Sequence, residues 1–156
     1  MSGIIKGQSG QPIQFETKPN VNGDDVLTRP DIVGTVSESG GVPTGAIIQR
    51  GSNANGEFVR YADGTQICTL SITVTDQAID TAYGSLYQSI RSWTFPVSFS
   101  SPPSVTCGKA RWGTAANWSG VSATTSNTTT FRFWDTRSRA LGTDMLIEAI
   151  AIGRWY

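Results

Sequence analysis

The sequence contains no histidine and few charged residues, and both shortages exclude kinds of function. Without histidine, neither a Ser/His/Asp nor a Cys/His triad can be built, and the commonest protein ligand of metal ions is missing. Charged residues make up 15% of the chain, against roughly 25% in an average soluble domain. The twelve basic and twelve acidic residues cancel, so no net field favours nucleic acid or an anionic membrane as a partner.

Long apolar runs are also missing. No stretch approaches the ~20 apolar residues of a membrane-spanning helix, and no basic segment followed by an apolar one starts at Met1. We therefore expect synthesis in the bacterial cytoplasm, a soluble protein and no membrane insertion. Two cysteines are too few for a disulfide framework. Cys68 shares an alternating face with Leu70, and Cys107 with Val105, so we predict two small buried side chains.

The acidic residues do not suggest a catalytic pair. Asp24–Asp25 are neighbours, and adjacent side chains of an extended chain point to opposite sides. Asp63, in Ala-Asp-Gly-Thr, is typical of a turn residue that accepts a hydrogen bond from its own backbone. Glu148 lies between apolar residues and, if buried, needs an ion-pair partner such as Arg132 or Arg154. We expect no enzyme activity, no cofactor and no metal site.

What the chain has in plenty is Thr, Ser, Gly and β-branched residues, which favour strands and turns. From Ala46 onward, short runs with period-two alternation are separated by turn residues, and this pattern predicts an all-β antiparallel sandwich. The predicted strands are Ala46–Gln49, Gly56–Tyr61, Gln66–Val74, Arg91–Thr94, Ser104–Lys109, Asn117–Thr124, Thr129–Trp134 and Met145–Gly153. In the last strand both faces are largely apolar, so it needs a partner surface within its own fold or on another subunit. For Asp76–Ile90 we favour an exposed loop or hairpin over a helix.

The first 45 residues differ in composition and carry four of the seven prolines. Asn22-Gly23 between short extended pieces predicts a small hairpin or an arm lying on a neighbour. The Gly-rich stretch Ser37–Gly45 predicts a linker. We therefore divide the chain into an extended attachment or oligomerisation segment, 1–45, with short hairpins, and a β-sandwich, 46–156.

Four features in register carry a family resemblance. They are the corner Trp93-Thr-Phe-Pro-Val-Ser-Phe-Ser-Ser-Pro-Pro-Ser-Val105, the strand and Thr/Asn turn Val121–Thr129, the aromatic strand Phe131-Arg-Phe-Trp-Asp135 and the terminal strand Leu146–Ile152. In this order they resemble the H-type lectin-like domains found at the ends of phage tail fibres and spikes. Gly56–Cys68 and the terminal Gly153-Arg-Trp-Tyr156 are similar to segments of phage and prophage tail-fibre proteins.

This resemblance implies a six-stranded antiparallel sandwich that assembles as trimers, sometimes paired into hexamers, with sugar sites near subunit boundaries. Trp134 matches the aromatic residue that stacks on sugar in the family, and Asp135 takes the polar position beside it. A family arginine that contacts sugar from the preceding strand has no counterpart near Asn117–Val121.

The residues themselves also point to a carbohydrate site, because saccharides need a flat aromatic wall with fixed donors and acceptors nearby. Trp112, Trp118 and Trp134 can supply walls, and the loop from Asp135 to Arg139 can supply polar contacts. Our candidate carbohydrate ligands are Trp112, Asn117, Trp118, Trp134, Asp135 and Arg137. The alternatives are a core-edge or interface role for Trp134, and a solvated turn or intersubunit ion pair for Arg137 and Arg139.

We therefore expect a virion-surface fibre or head-spike protein that binds host surface polysaccharide or glycan reversibly as a homotrimer. Residues 1–45 would attach it to other proteins of a phage or phage-like particle. The alternative is a structural decoration or adaptor protein that uses the same sandwich for protein–protein contacts. A polysaccharide depolymerase is least supported, since such spikes usually need longer chains and a placed acidic pair.

Overall fold

The computed structural model describes residues 20–21, 24–75, 77–112, 117–140 and 144–156, and of the side chains those of 26–75, 77–107, 118–140 and 144–156. The elements are β1 (Asn20–Val21), β2 (Asp24–Asp25), α1 (Arg29–Ile32), β3 (Glu38–Ser39), β4 (Val42–Pro43), β5 (Ile48–Asn53), β6 (Gly56–Tyr61), β7 (Thr65–Val74), β8 (Thr81–Tyr83), β9 (Leu86–Thr94), β10 (Ser104–Trp112), β11 (Asn117–Thr124), β12 (Thr128–Asp135) and β13 (Met145–Arg154). Within these ranges no helix is long and apolar enough to cross a membrane.

Two antiparallel sheets share one core and form the predicted β-sandwich. The five-stranded sheet has the order β10-β13-β7-β6-β5 and the four-stranded sheet the order β11-β12-β9-β8. The six strands implied by the family resemblance are therefore too few, since the two sheets hold five and four. The extra strands lie at the edges: β5 and β6 extend the first sheet, β8 extends the second, and three strands remain in each without them.

Aromatic rings from the four-stranded sheet fill much of the space between the sheets. On β12, Phe131 and Phe133 are buried, and alternation places their neighbours on the opposite face. Trp93 of β9 stacks on Phe131 with ring centroids 6.0 Å apart. Phe95 packs edge-to-face against Trp93, with ring centroids 4.9 Å apart, and edge-to-face against Phe99, with ring centroids 5.1 Å apart. The chain of rings thus joins the sheets to the corner that follows β9.

A buried glutamine ties that corner to the five-stranded sheet. Gln66 is inaccessible to solvent, and its Nε2 donates to the carbonyl oxygens of Val97 and Ser98, each at 3.2 Å. Its Oε1 accepts from Arg60 Nε at 2.8 Å. Every polar atom of the side chain therefore has a partner, which removes most of the cost of burying it.

The C-terminus packs against the β6–β7 turn. Trp155 Nε1 donates to Tyr61 O at 2.8 Å, and Tyr156 Oη donates to Ala62 O at 3.0 Å. Gly64 has φ +91°, and an added Cβ would collide with Arg154 and Tyr156. The two stretches that resemble fibre segments, 56–68 and 153–156, are thus one packed unit.

Several turn and burial predictions are confirmed. Asp63 Oδ1 accepts the Thr65 N–H at 2.8 Å, and this bond lowers the pKa of the Asp63 carboxyl. Cys68 is a buried free thiol whose pKa burial raises to about 11. Cys107, for which we also predicted burial, is only half-buried and packs against the core. The pairing of Asn20 with Asp25 bears out the hairpin predicted around Asn22-Gly23.

All eight predicted strands are present, and the bounds of β6 and β11 match. The segment after Asp76 forms the β8–β9 hairpin, closed at Gly84 with φ +61°, as favoured over a helix. The linker predicted over Ser37–Gly45 is wrong. It is the β3–β4 hairpin, with Gly40 and Gly41 at φ 59° and 83°, because two adjacent glycines there supply the positive φ of a tight turn.

The expected ion-pair partners of Glu148 are wrong too. Arg132 lies on the four-stranded sheet and donates to Gln88, while Arg154 stands six residues along the same strand, roughly 20 Å away at ~3.3 Å per residue. Glu148 is instead half-buried on the outer face of β13, where the register places Lys109 and Ser71 beside it.

Burial of Phe133 predicts a large loss on truncation. Phe133→Ala should lower the free energy of unfolding by about 3–5 kcal/mol, since it removes a fully enclosed ring from between the sheets. Thr130→Ala on the outward face of the same strand should change it by less than about 1 kcal/mol. Urea denaturation at one fixed protein concentration measures both. Equal losses in the two variants would contradict the packing described.

Candidate functional site

Two tryptophans stand side by side on the outer face of the four-stranded sheet. Trp118 of β11 lies directly opposite Trp134 of β12 in the register. Their ring centroids are 6.4 Å apart and the planes differ by 27°. Trp118 is 45% exposed and Trp134 is half-buried. The pair forms an aromatic surface open to solvent.

A glycine makes room for one of these rings. A Cβ added to Gly120 would come within 3.0–3.1 Å of the six-membered ring of Trp134. The indole therefore lies against the β11 main chain rather than standing away from the sheet. This contact holds Trp134 flat, which is the orientation a stacking surface requires.

Polar side chains continue the same surface toward β9 and β8. Gln88 lies opposite Trp134 in the register, and Arg132 opposite Ile90. Arg132 Nη1 donates to Gln88 Oε1 at 2.6 Å, and its guanidinium carbon is 5.2 Å from the centroid of the Tyr83 ring. We call this surface the tryptophan face; its members are Tyr83, Gln88, Ile90, Trp118, Arg132 and Trp134.

The tryptophan face combines two features that saccharide binding needs. The indoles offer an extended apolar wall for the C–H face of a pyranose ring. The Arg132 guanidinium and the Gln88 amide are fixed by each other and by Tyr83, so hydroxyl contacts to them cost little side-chain entropy.

Asp135, a predicted ligand residue, points inward. Its side chain is fully buried, on the same side of β12 as Phe131 and Phe133. Oδ1 accepts the Arg137 N–H at 2.9 Å, and Oδ2 accepts Arg139 Nε at 3.0 Å. Burial by itself raises the pKa of this carboxyl, but these bonds and the charge of Arg139 outweigh it, so the net pKa is lowered. An inward carboxylate positions the following loop and does not reach a sugar on the outer face.

The loop after Trp134 is held at both ends. The ion pair of Asp135 with Arg139 closes it, and the main chain of Arg139 exchanges two hydrogen bonds of 2.9 Å with buried Ile79. Arg137 is exposed between these ties. It is the exposed charged residue of the predicted polar loop, and Thr136 and Ser138 are exposed beside it.

Two other predicted residues are described only by their backbone. Trp112 ends β10 opposite Met145, and Asn117 begins β11 opposite Asp135. Their side chains lie outside the described residues, so their proposed contacts stay predictions. Among the residues that the structure describes, no group of three or more acidic or cysteine side chains could hold a metal ion.

Sequence reasoning missed Tyr83 and Gln88 and did not count Arg132 as a ligand. Arg132 alternates with two buried phenylalanines, and this alternation places it on the outer face. Tyr83 and Gln88 join the face only through the β8–β9 and β9–β12 registers, which the sequence pattern left open.

No protein-family description and no curated protein sequence matches the chain. Among solved structures it is similar to a fibre of the R1 pyocin of P. aeruginosa comprising C-terminal residues 323–701, with 17% identity and a TM-score of 0.51. The match covers 68% of this chain and 28% of the pyocin chain. A second similar structure is recombinant discoidin II of Dictyostelium discoideum, with 18% identity, a TM-score of 0.44 and coverage of 58% of this chain and 37% of that one. The pyocin likeness supports the sandwich fold.

The buried carboxylate makes the stability of the loop depend on pH. Asp135→Asn keeps an acceptor for the Arg137 N–H but removes the charge that Arg139 pairs with. The free energy of unfolding at pH 7 should therefore fall by about 1–3 kcal/mol. The pKa of Asp135 is lower in the folded protein than its unfolded value of about 3.9, so its ionised carboxylate stabilises the fold at pH values above that unfolded pKa. This stabilisation is lost as the pH falls through the folded pKa. The difference from wild type should therefore shrink below about pH 4.

Asp63→Asn is the matched control, because Asp63 also accepts a backbone N–H two residues ahead but is exposed. Its effect at pH 7 should be much smaller than that of Asp135→Asn. Denaturant unfolding between pH 3 and 8 measures both variants. A pH-independent difference for Asp135→Asn would contradict this account of the loop.

Proposed function

We propose that this chain is an adhesion module of a phage or phage-like particle, a fibre or head-spike protein that binds host cell-surface glycan reversibly without chemically changing it. The observation that carries the proposal is the tryptophan face: paired indoles on an exposed sheet, with Arg132 and Gln88 beside them. A sandwich of the same fold in a pyocin fibre supports the particle setting.

The proposed sugar contacts keep the family resemblance but reassign its polar partner. Trp134, which matches the sugar-stacking aromatic of H-type lectin-like domains, lies on the outer face as stacking requires. Asp135 is inward, so we assign hydroxyl contacts to Arg132 and Gln88, with Arg137 at the rim. Trp112, at the end of β10 in the five-stranded sheet, and Asn117, at the start of β11 in the four-stranded sheet, remain candidate contacts.

We propose that the chain forms a homotrimer through the five-stranded sheet. On its outer face Ile152, Ile67 and Val59 stand in one row across β13, β7 and β6. Ile152 is 46% exposed and Ile150 is 37% exposed in the single chain. Water is an unfavourable environment for such a row of β-branched side chains, so we propose that other copies of the chain cover it.

Weak single sites suffice in this arrangement. One shallow sugar site contributes about 4–5 kcal/mol, roughly millimolar affinity. Three sites on one tip, repeated over a particle, raise the overall avidity by ~10²–10⁴. We propose that residues 1–45 attach the tip to the particle and that 46–156 form the sandwich.

A second candidate function is a structural decoration or adaptor protein. Ile90 and Tyr83 on the tryptophan face are 52% and 49% exposed, and a protein partner would cover them as well as a glycan would. In that case the face would contact protein and have no affinity for glycan.

Binding to glycan should depend on the two indoles. Trp118→Ala and Trp134→Ala should each weaken binding to the recognised host polysaccharide about tenfold or more, a loss comparable to the ~1–3 kcal/mol per base that stacking on an aromatic side chain contributes in nucleic-acid binding. Trp118→Phe should retain part of the affinity. Val42→Ala, on the exposed β3–β4 hairpin, is the matched control and should bind as wild type. Biolayer interferometry on immobilised polysaccharides measures the wild type and all four variants, and unchanged binding by both tryptophan-to-alanine variants would point to another site.

Assembly should depend on the isoleucine row. Ile152→Asp places a charge at an exposed position, so the single chain should still fold while the oligomer dissociates to monomers. Thr125→Asp, in an exposed turn between β11 and β12, should leave the oligomer intact. Light scattering after size exclusion gives the masses. A monomeric wild type, or a trimer unaffected by Ile152→Asp, would contradict the proposed interface.

A further inference from the structure

A cleft opens between the two sheets at the free edge of β9, away from the tryptophan face. Its volume is about 220 Å³. Trp93, Phe131, Leu70 and Ile147 form its apolar inner wall, and Asn55 and Arg91 lie at its polar rim. The wall is fixed, because Trp93 Nε1 donates to Asn55 O at 2.8 Å and the Trp93 ring stacks on Phe131.

Arg91 stands on the inner side of β9 without a counter-ion. It lies opposite buried Phe131 in the register, so its side chain enters the space between the sheets. Among the described residues, none forms a hydrogen bond or ion pair with its half-buried guanidinium. Because no carboxylate of the described residues pairs with this guanidinium, an anion that enters the cleft could accept charge-assisted hydrogen bonds from it.

A second polar group on the same side of β9 also has no partner. Ser89 Oγ is buried, and no described atom forms a hydrogen bond with it. Buried hydroxyls are nearly always satisfied, so an unsatisfied one two positions from Arg91 marks this part of β9 as unusual. Of the two, Arg91 lines the cleft and is the group that an occupant would contact.

The edge itself offers main-chain donors and acceptors. β8 pairs with β9 only as far as Gln88, and within the described residues no strand pairs with the same edge beyond it. Since alternate residues of a strand direct their N–H and C=O groups to the same edge, Ser92 and Thr94 present theirs to the cleft that they line. Ligands rich in hydroxyls can use both kinds of group.

We propose that this cleft binds one carboxylate-bearing monosaccharide unit, a uronic acid, with its carboxylate on Arg91 and its hydroxyls on Asn55 and the open edge of β9. The volume is below the ~300 Å³ at which drug-sized pockets begin, so it suits one sugar ring rather than a chain of them. The planar guanidinium binds a carboxylate through two parallel hydrogen bonds. The site is separate from the tryptophan face, and the proposal stands whether or not that face binds glycan.

The test is a titration of the ¹⁵N-labelled full chain with sodium glucuronate and sodium galacturonate at constant ionic strength. The indole N–H signal of Trp93 should shift with millimolar affinity for at least one uronate, while methyl glucoside and acetate should bind at least tenfold more weakly. Arg91→Gln should weaken uronate binding at least tenfold. Arg29→Gln, which removes an exposed arginine of α1, should not change it. Trp118→Ala should also bind the uronate as wild type.

Three results of the titration would overturn the proposal: no shift with either uronate, equal affinity in Arg91→Gln, or shifts confined to Trp118 and Trp134. The last would assign uronate to the tryptophan face and leave the proposed adhesion intact. Thermal unfolding separates binding from structure, because Arg91→Gln should melt at or above the wild-type temperature if the guanidinium serves a ligand. A Tm lower by several degrees would show that Arg91 is structural and would also overturn the proposal.

Discussion

The burial of Phe131 and Phe133 between the two sheets is the constraint on which the rest of the molecule depends. A strand has period two, so fixing these rings inward fixes Arg132 and Trp134 outward, and a slip of one residue would exchange the two sets. The strand register extends this assignment of faces to the neighbouring strands and places Trp118 and Gln88 on either side of Trp134. The candidate site is therefore a consequence of core packing, with rigid strands rather than loops holding its aromatic residues.

Buried polar groups divide the molecule into scaffold and candidate ligand sites. Gln66 and Asp135 are fully buried, and each is satisfied: one holds the corner after β9, the other the loop after β12. Ser89 and Arg91 have no such partners among the described residues. Natural sequences depart from complete satisfaction mainly at functional places, and this departure is one reason why we propose a ligand beside Arg91.

Much of this architecture could be predicted from the sequence, because alternation fixes both strand positions and faces. The inward direction of Asp135 also follows from the alternation, because Asp135 continues the even spacing of Phe131 and Phe133. The family resemblance instead assigned it to the ligand site because it is polar. The β3–β4 hairpin was missed because Gly40-Gly41 in a polar stretch is typical of linkers and of tight turns alike. Tyr83 and Gln88 could not be assigned, since cross-strand partners depend on register and not on local pattern.

The central claim is that the paired indoles of the tryptophan face bind host glycan, and the tryptophan side chains themselves report on it. The direct measurement is the set of indole N–H signals of the ¹⁵N-labelled oligomer during titration with polysaccharides extracted from bacterial host surfaces. The account predicts that the signals of Trp118 and Trp134 shift together, while that of Trp155, bonded to Tyr61 O, stays in place. A polysaccharide that binds while both of those signals remain unchanged would contradict it.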